Sequence, residues 1–225
     1  MSEDLQLLLV EDSADDAALV QQALRLAGLT PVLRQVDSAD AMAAALIEKR
    51  WHLVVSDYNL PGFSGTEALR LLREHAPDTP FIVVSGCIGE EAAVALMKAG
   101  ADDYVMKDNL ARLAPAVERS LKEAQSRAQR KIALSALRES EARFKAIAAN
   151  IPGAVLQLVL DANGNWSFSY VSEGCLALLG VTPRLLQRFP GLFFDLIAPE
   201  DSAAFTQAMQ VSARELTDWN WEGRV

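Results

Sequence analysis

The sequence predicts an α/β protein: a five-stranded parallel sheet wrapped by helices, then a long helix, then a smaller α+β region. Three observations predict it. Short apolar runs alternate with helical patterns from residue 5 to about residue 120. Residues 110–149 hold no Gly and only one Pro, Pro115. From residue 150 the texture is mixed, with a hairpin signal and several short helical patterns.

Strands are expected at 5–10, 31–36, 53–57, 80–85 and 103–106. Most are short runs rich in Val, Ile or Leu, as strands covered on both faces require. Helices are expected at about 14–27, 38–49, 65–75 and 88–98. In the first helix Ala17, Val20, Ala23, Leu24 and Ala27 share one face. Gly28 follows where a helix C-terminus needs it, and Pro31 where a helix cannot continue. Gly100 closes the fourth helix in the same way. Strands joined by short helical crossovers make one compact domain over residues 1–121.

The 110–149 stretch reads as one long connecting helix. Leu113, Val117, Leu121, Ala124 and Ala128 recur at steps of three and four, and Leu137, Phe144 and Ile151 continue at seven. Pro115 falls in the first turns, where it is tolerated. Lys131 and Glu141 interrupt the seam of a coiled-coil connector. Beyond it, residues 150–225 offer a strand at 154–160, a turn at Asp161-Ala162-Asn163-Gly164-Asn165 and a partner strand at 166–171. Short helices follow at about 173–180, 183–188, 193–198 and 200–214. A further strand is expected from near Asp218, with the chain stopping inside it, as in a fragment of something longer.

Composition narrows the function classes. The net charge is −9 and 51% of residues are apolar, enough for a proper core. Residues 1–121 carry ten basic and nineteen acidic groups, residues 122–149 seven and three, residues 150–225 four and eight. No broad positive surface is available to neutralise phosphates, so no nucleic-acid partner is expected. The basic stretch of the long helix reads as a solvated face. Cys87 and Cys175 lack metal-ligand spacing, the N-terminus is acidic rather than signal-like, and no apolar run spans a bilayer. A cytoplasmic protein without a membrane segment is expected.

The chemistry concentrates at strand ends. Glu11 and Asp12 follow the first strand, Asp57 ends the third, Ser85 ends the fourth, and Lys107 follows the fifth. In an open parallel sheet these ends share one rim, where ligands bind. Each residue also has a plain structural use. Asp12 or Ser13 can cap the first helix, Asp15 and Asp16 suit its positive end, and Asp57 suits the turn before Pro61. Together, three carboxylates, a hydroxyl and an ammonium suit a divalent cation and a phosphoryl group.

The residues carrying this pattern are the acidic pair, Asp57-x-x-Leu60-Pro61-x-x-x-Gly65, Ser85, Tyr104 and Lys107. In this the first part resembles a two-component receiver domain, which implies a flavodoxin-like five-stranded sheet. The resemblance implies that Asp57 accepts a phosphoryl group from a cognate histidine kinase. It implies Mg²⁺ on Asp12, Asp57 and the backbone carbonyl of Asn59, with Glu11 helping directly or through water. Ser85 and Lys107 would hold phosphoryl oxygens, and Tyr104 would be the switching aromatic. One departure is that Asp108 stands where the family usually has Pro, so the following loop is expected to be trans and differently shaped.

Residues 140–225 resemble the front of a PAS sensor domain. The stretches that carry the likeness are Glu141-Ala142-Arg143-Phe144 through Ile151-Pro152-Gly153, Tyr170-Val171-Ser172, Cys175 to Gly180, Asp195 to Asp201 and Trp219-Asn220-Trp221-Glu222. Its ligand is unassigned. The only histidines, His52 and His75, lie in the first domain, which excludes His-ligated haem from the second. Cys175 and the aromatics Trp166, Phe168, Phe189, Phe193, Phe194 and Phe205 read as core.

The implied function is a phosphorelay module. It would form a homodimer through the 110–149 helix and relay to an output outside this chain: a cyclic-di-GMP cyclase or phosphodiesterase, or a histidine kinase. No stand-alone catalytic domain is read here. Glu67-Ala68-Leu69 matches a phosphodiesterase signature by chance, inside the third helix. Two rival readings are an unphosphorylated docking module and a phosphatase-type enzyme with an Asp nucleophile.

Overall fold

The computed structural model describes residues 5–86, 89–161 and 164–225. Cys87, Ala162 and Asn163, which entered the reading above, lie outside the described residues. The chain divides into two compact units, Met1–Ala133 and Leu134–Val225.

The first unit alternates as the sequence predicts. Its elements are β1 (Gln6–Val10), α1 (Ala14–Leu26), β2 (Val32–Val36), α2 (Ala39–Glu48), β3 (Leu53–Asp57), β4 (Asn59–Leu60), β5 (Phe63–Ser64) and α3 (Gly65–His75). They continue as β6 (Phe81–Ser85), α4 (Glu90–Lys98), β7 (Asp103–Met106), a 3-10 turn (Lys107–Arg112) and α5 (Leu113–Asn150). Five strands form one sheet in the order β2-β1-β3-β6-β7, every neighbouring pair parallel.

Strand alternation splits the core into two layers. Leu8, Val10, Val54, Phe81 and Val83 point to one face and meet Met42, Ala45, Ala68, Leu69, Leu72 and Leu96 of α2, α3 and α4. Leu7, Leu9, Leu53, Val55, Ile82 and Val84 point to the other and meet α1 and α5 through Ala17, Val20, Leu24, Leu113 and Val117. The expected face of α1 is therefore confirmed at Ala17, Val20 and Leu24. Its exit uses Gly28, whose φ of +84 is a left-handed conformation that glycine adopts without strain.

Three expectations need correction. The long helix begins at Leu113 rather than 110, because residues 107–112 form a 3-10 turn broken at Asn109 (φ −134, ψ 53). Residues 59–64 contain a minute antiparallel pair, β4–β5, where the sequence shows only a turn. No strand forms after Asp218. There Trp221 packs edge-on against Phe205 at 4.9 Å, Arg224 pairs with Asp201 at 3.0 Å, and the Arg224 carbonyl accepts from Ala198. That segment is occupied by α9 (Pro199–Glu215) and the turn before it, not by a strand edge.

The basic face of α5 is solvated as read, and its exposed side chains also form ion pairs. Arg127 pairs with Asp102 at 3.0 Å, Lys131 with Asp78 at 2.9 Å, and Arg119 with Asp103. Asp102 further accepts from the Phe81 backbone at 2.9 Å and from Arg73, whose guanidinium also donates to the carbonyls of Pro77, Thr79 and Gly100. The start of α5 is thus tied to the loops that precede β6 and β7.

In the second unit β8 (Leu156–Leu160) pairs antiparallel with β9 (Trp166–Val171). The turn is closed by Asp161, which accepts from the Asn165 backbone at 2.8 Å. Then come α6 (Gly174–Leu179), α7 (Pro183–Arg188), α8 (Gly191–Asp195) and α9. Phe168, Val171, Cys175 and Leu186 form one buried cluster, and Ile197, Phe205 and Met209 another. Most of the aromatics read as core do line these clusters; Phe189 instead stands out at 49% exposure. Burial raises the Cys175 thiol above its ordinary range, as for an inert core cysteine. Among the described residues no helix is long and apolar enough to cross a membrane.

Candidate phosphoryl-acceptor site

The sheet order reverses between β1 and β3, with α1 on one face and α2 and α3 on the other. The carboxyl ends of those two strands open into the crevice where doubly wound sheets bind ligands. Glu11 sits at that point, its backbone N–H still donating to Val36 of β2 at 2.9 Å. Asp12 follows and is exposed. Ser13 caps α1 by accepting from the Asp16 backbone N–H at 3.2 Å, and its own N–H donates to Glu11 Oε1 at 3.1 Å.

Asp57 ends β3 and is 8% exposed. Its backbone is held by Ser56, whose hydroxyl donates to the Asp57 carbonyl at 2.8 Å. Tyr58 N–H donates to Val84 of β6 at 3.1 Å, and Gly65 N–H to the Tyr58 carbonyl at 2.9 Å. Gly65 leaves little room for a side chain here. A Cβ would stand 3.1 Å from both the Asp57 carbonyl oxygen and Tyr58 Cα, backbone that cannot easily give. The motif glycine is therefore a spacing device for the Asp57 loop. Asn59 N–H donates to Asp57 Oδ1 at 3.3 Å.

Lys107, directly after β7, reaches across to this pair of strands. Its Nζ lies 2.7 Å from Asp57 Oδ2, 3.0 Å from Glu11 Oε2 and 2.5 Å from Asp16 Oδ2. Side-chain oxygens of Glu11, Asp12 and Asp57 all lie within 4.8 Å of one another. Ser85 ends β6, buried, in register with Met106 of β7. Tyr104 is half-buried in β7 against the α2–α4 layer of the core. The structure thus gathers Glu11, Asp12, Asp57 and Lys107 at one point and brings Ser85 and Tyr104 to the sheet on the two strands beyond β3.

The electrostatics follow from crowding. Burial pushes the Glu11 carboxyl up, aided by the Asp57 charge and resisted by the Lys107 and Ser13 hydrogen bonds. Burial alone would lower the Lys107 ammonium. Hydrogen bonds to Asp16, Asp57 and Glu11 more than offset it and hold Lys107 above its ordinary range. Three acids meet the one ammonium and Asp12 joins two of them at the rim, a charge imbalance that favours a further cation. The donors are all oxygens, and hard divalent ions such as Mg²⁺ prefer such sets.

Asp16 is the residue that the sequence reading did not assign to the site. In the first turn of α1 it reads as a helix-dipole acid, and its partner lies 91 residues away. The two histidines are structural. His52 accepts from the Gln6 backbone at 2.9 Å, and His75 lies 3.0 Å from the Leu71 carbonyl. Among the described residues every peptide bond is trans, including Lys107–Asp108.

Residues 7–118 match the family model of the response regulator receiver domain. Residues 7–118 form a receiver domain. The chain is 36% identical over 102 residues to the transcriptional regulatory protein PrrA of Mycobacterium tuberculosis, covering 45% of this chain and 43% of PrrA. It is likewise 36% identical over 102 residues to the response regulator protein FleR of Pseudomonas aeruginosa, covering 45% of this chain and 21% of FleR. The chain spans less than half the length of these curated relatives. A solved receiver domain protein (CheY-like) from Methanospirillum hungatei superposes with a TM-score of 0.50 at 26% identity, covering 56% of this chain and 99% of that one. The five-stranded sheet with its flanking helices is the flavodoxin-like receiver fold, extended by a long helix.

Proposed function

We propose that the receiver takes a phosphoryl group on Asp57 from a histidine kinase, with Mg²⁺ held by Glu11, Asp12, Asp57 and the Asn59 carbonyl. One observation carries this reading: the Asp57 carboxylate meets the Lys107 ammonium at 2.7 Å within reach of two further acids, at a sheet edge where Asp12 is exposed. An Asp57 oxygen attacks phosphorus, the bond from phosphorus to the donor breaks, and the donor leaves with the electron pair. The product is an acyl phosphate on Asp57. A carboxylate is a poor nucleophile towards an anionic donor, and Mg²⁺ supplies the charge neutralisation that like-charge repulsion demands. Lys107 places its ammonium where phosphoryl oxygens gain charge in the transition state. Ser85 holds a phosphoryl oxygen, and Tyr104, only half-buried, supplies an aromatic that can change rotamer with the β6 end.

The wider relay belongs to the same reading. The second unit, with an antiparallel strand pair followed by four helices, is the front of a PAS domain. Its ligand is unassigned and is not a His-ligated haem. A structure of a longer parent chain in which no antiparallel strand joins β8 or β9 would count against this. The α5 helix leaves Leu137, Phe144 and Ile147 between 49% and 59% exposed at steps of seven and three, and Ile151 just beyond it is 46% exposed. That supports a parallel homodimer through this helix; light scattering that finds only monomer at high concentration, phosphorylated or not, would refute it. Output lies outside these residues, as a cyclic-di-GMP cyclase or phosphodiesterase or a histidine kinase, in a cytoplasmic protein without a nucleic-acid surface.

Beryllofluoride with Mg²⁺ tests the site. In wild type it is expected to slow hydrogen exchange around residues 57–60 and 104–108 and to alter exchange within 134–225. Asp57→Ala is expected to show neither. Equal responses from both proteins would instead favour a docking module that is never phosphorylated.

A further inference from the structure

Lys107 carries three N–H donors, and three carboxylates surround its Nζ. Two of them, Glu11 and Asp57, belong to the acidic cluster whose oxygens lie within 4.8 Å of one another. On the phosphoryl-transfer reading given above, on which this inference rests, Glu11 and Asp57 turn oxygens to a divalent cation and Asp57 becomes the acyl phosphate. Asp16 has neither task. It stands outside that cluster, on α1, 2.5 Å from the ammonium.

The geometry points to Asp16 as the positioning residue for Lys107: the carboxylate that keeps the ammonium over Asp57 once the other two acceptors are drawn to metal and phosphoryl group. Its backbone is fixed, because its N–H donates to the Ser13 cap at 3.2 Å. Its side chain is 34% exposed, at the rim rather than in the core. A lysine has a flexible four-carbon stem, and an ammonium with a permanent charged acceptor samples fewer rotamers. With Asp16 holding one N–H, the other two remain for phosphoryl oxygens. Asp16 thus acts through Lys107 and touches no reacting atom.

A first-turn acid can also serve only the helix dipole, and Asp15 is the built-in control. It is exposed, adjacent and equally near the α1 N-terminus. The test uses the full chain with acetyl phosphate as donor at saturating Mg²⁺, comparing wild type, Asp16→Ala, Asp16→Asn and Asp15→Asn. Asp16→Ala is expected to lower the maximal phosphorylation rate by about tenfold. Asp16→Asn keeps an acceptor without the charge and is expected to lose only about threefold. Both are expected to raise the Mg²⁺ concentration for half-maximal rate to a similar degree, since each removes one negative charge from the rim. Asp15→Asn is expected to leave the maximal rate unchanged.

Wild-type maximal rate in Asp16→Ala, or an equal loss in Asp15→Asn, would overturn the assignment. If wild type takes up no phosphoryl group at all, the phosphoryl-transfer reading fails instead. The Lys107 ammonium ¹⁵N resonance in Mg²⁺ then decides the anchor by itself. Faster ammonium proton exchange in Asp16→Ala supports it, and exchange identical to wild type overturns it.

Discussion

Lys107→Ala is expected to slow phosphorylation of Asp57 by about 10²-fold at saturating Mg²⁺ and acetyl phosphate, the usual loss when a charged transition-state donor is removed. The same change removes the counter-ion of Glu11, Asp16 and Asp57 together. Glu11 is 1% exposed and already pushed up by burial. Left without the ammonium, it either takes a proton or remains charged at a cost in stability. Melting without metal should therefore fall in the variant, and Mg²⁺ should restore more stability to it than to wild type, because one competing cation is gone. Thermal melts with and without Mg²⁺, beside initial phosphorylation rates, check both halves. A rate within threefold of wild type would remove Lys107 from the mechanism.

Phe81→Ala is expected to destabilise the receiver by about 3–5 kcal/mol, the range for a fully buried aromatic reduced to a methyl. Phe81 is 0% exposed at the start of β6, between the sheet and the α2–α4 layer. Its backbone stays anchored, donating to the Asp102 carboxylate at 2.9 Å and accepting from the Asp102 N–H at 2.8 Å. The loss is therefore one of packing rather than of strand pairing, and a cavity remains. Urea unfolding followed by fluorescence measures it; a change below about 1 kcal/mol would mean that this layer collapses around the gap.

The receiver sheet was legible because its strands are short, apolar and punctuated. Leu53 to Asp57 and Phe81 to Ser85 are buried along their whole length, so each reads as a continuous run ended by a polar residue. The acids and Lys107 were legible by their places at those ends. Asp16 was not, because a first-turn acid is explained locally and nothing in a linear sequence announces a partner just beyond β7. The solvated basic face of α5 was legible, but its ion-pair partners were not, because Asp102 and Asp78 lie 25 and 53 residues from Arg127 and Lys131. The start of α5 was misplaced because Leu110 fits the helical period, while Asn109 breaks the helix just before it. The aromatic, polar alternation after Asp218 resembles a strand, yet Trp221 finds its apolar contact on Phe205 instead.

Both the transfer chemistry and the role of Asp16 depend on the Asp57 carboxylate becoming an acyl phosphate. Intact-mass measurement after incubation with acetyl phosphate and Mg²⁺ tests that directly, in wild type and Asp57→Asn. Wild type is predicted to gain the mass of one phosphoryl group, to gain none when EDTA replaces Mg²⁺, and Asp57→Asn to gain none in either case. An unmodified wild type, or the same adduct on Asp57→Asn, would contradict the account.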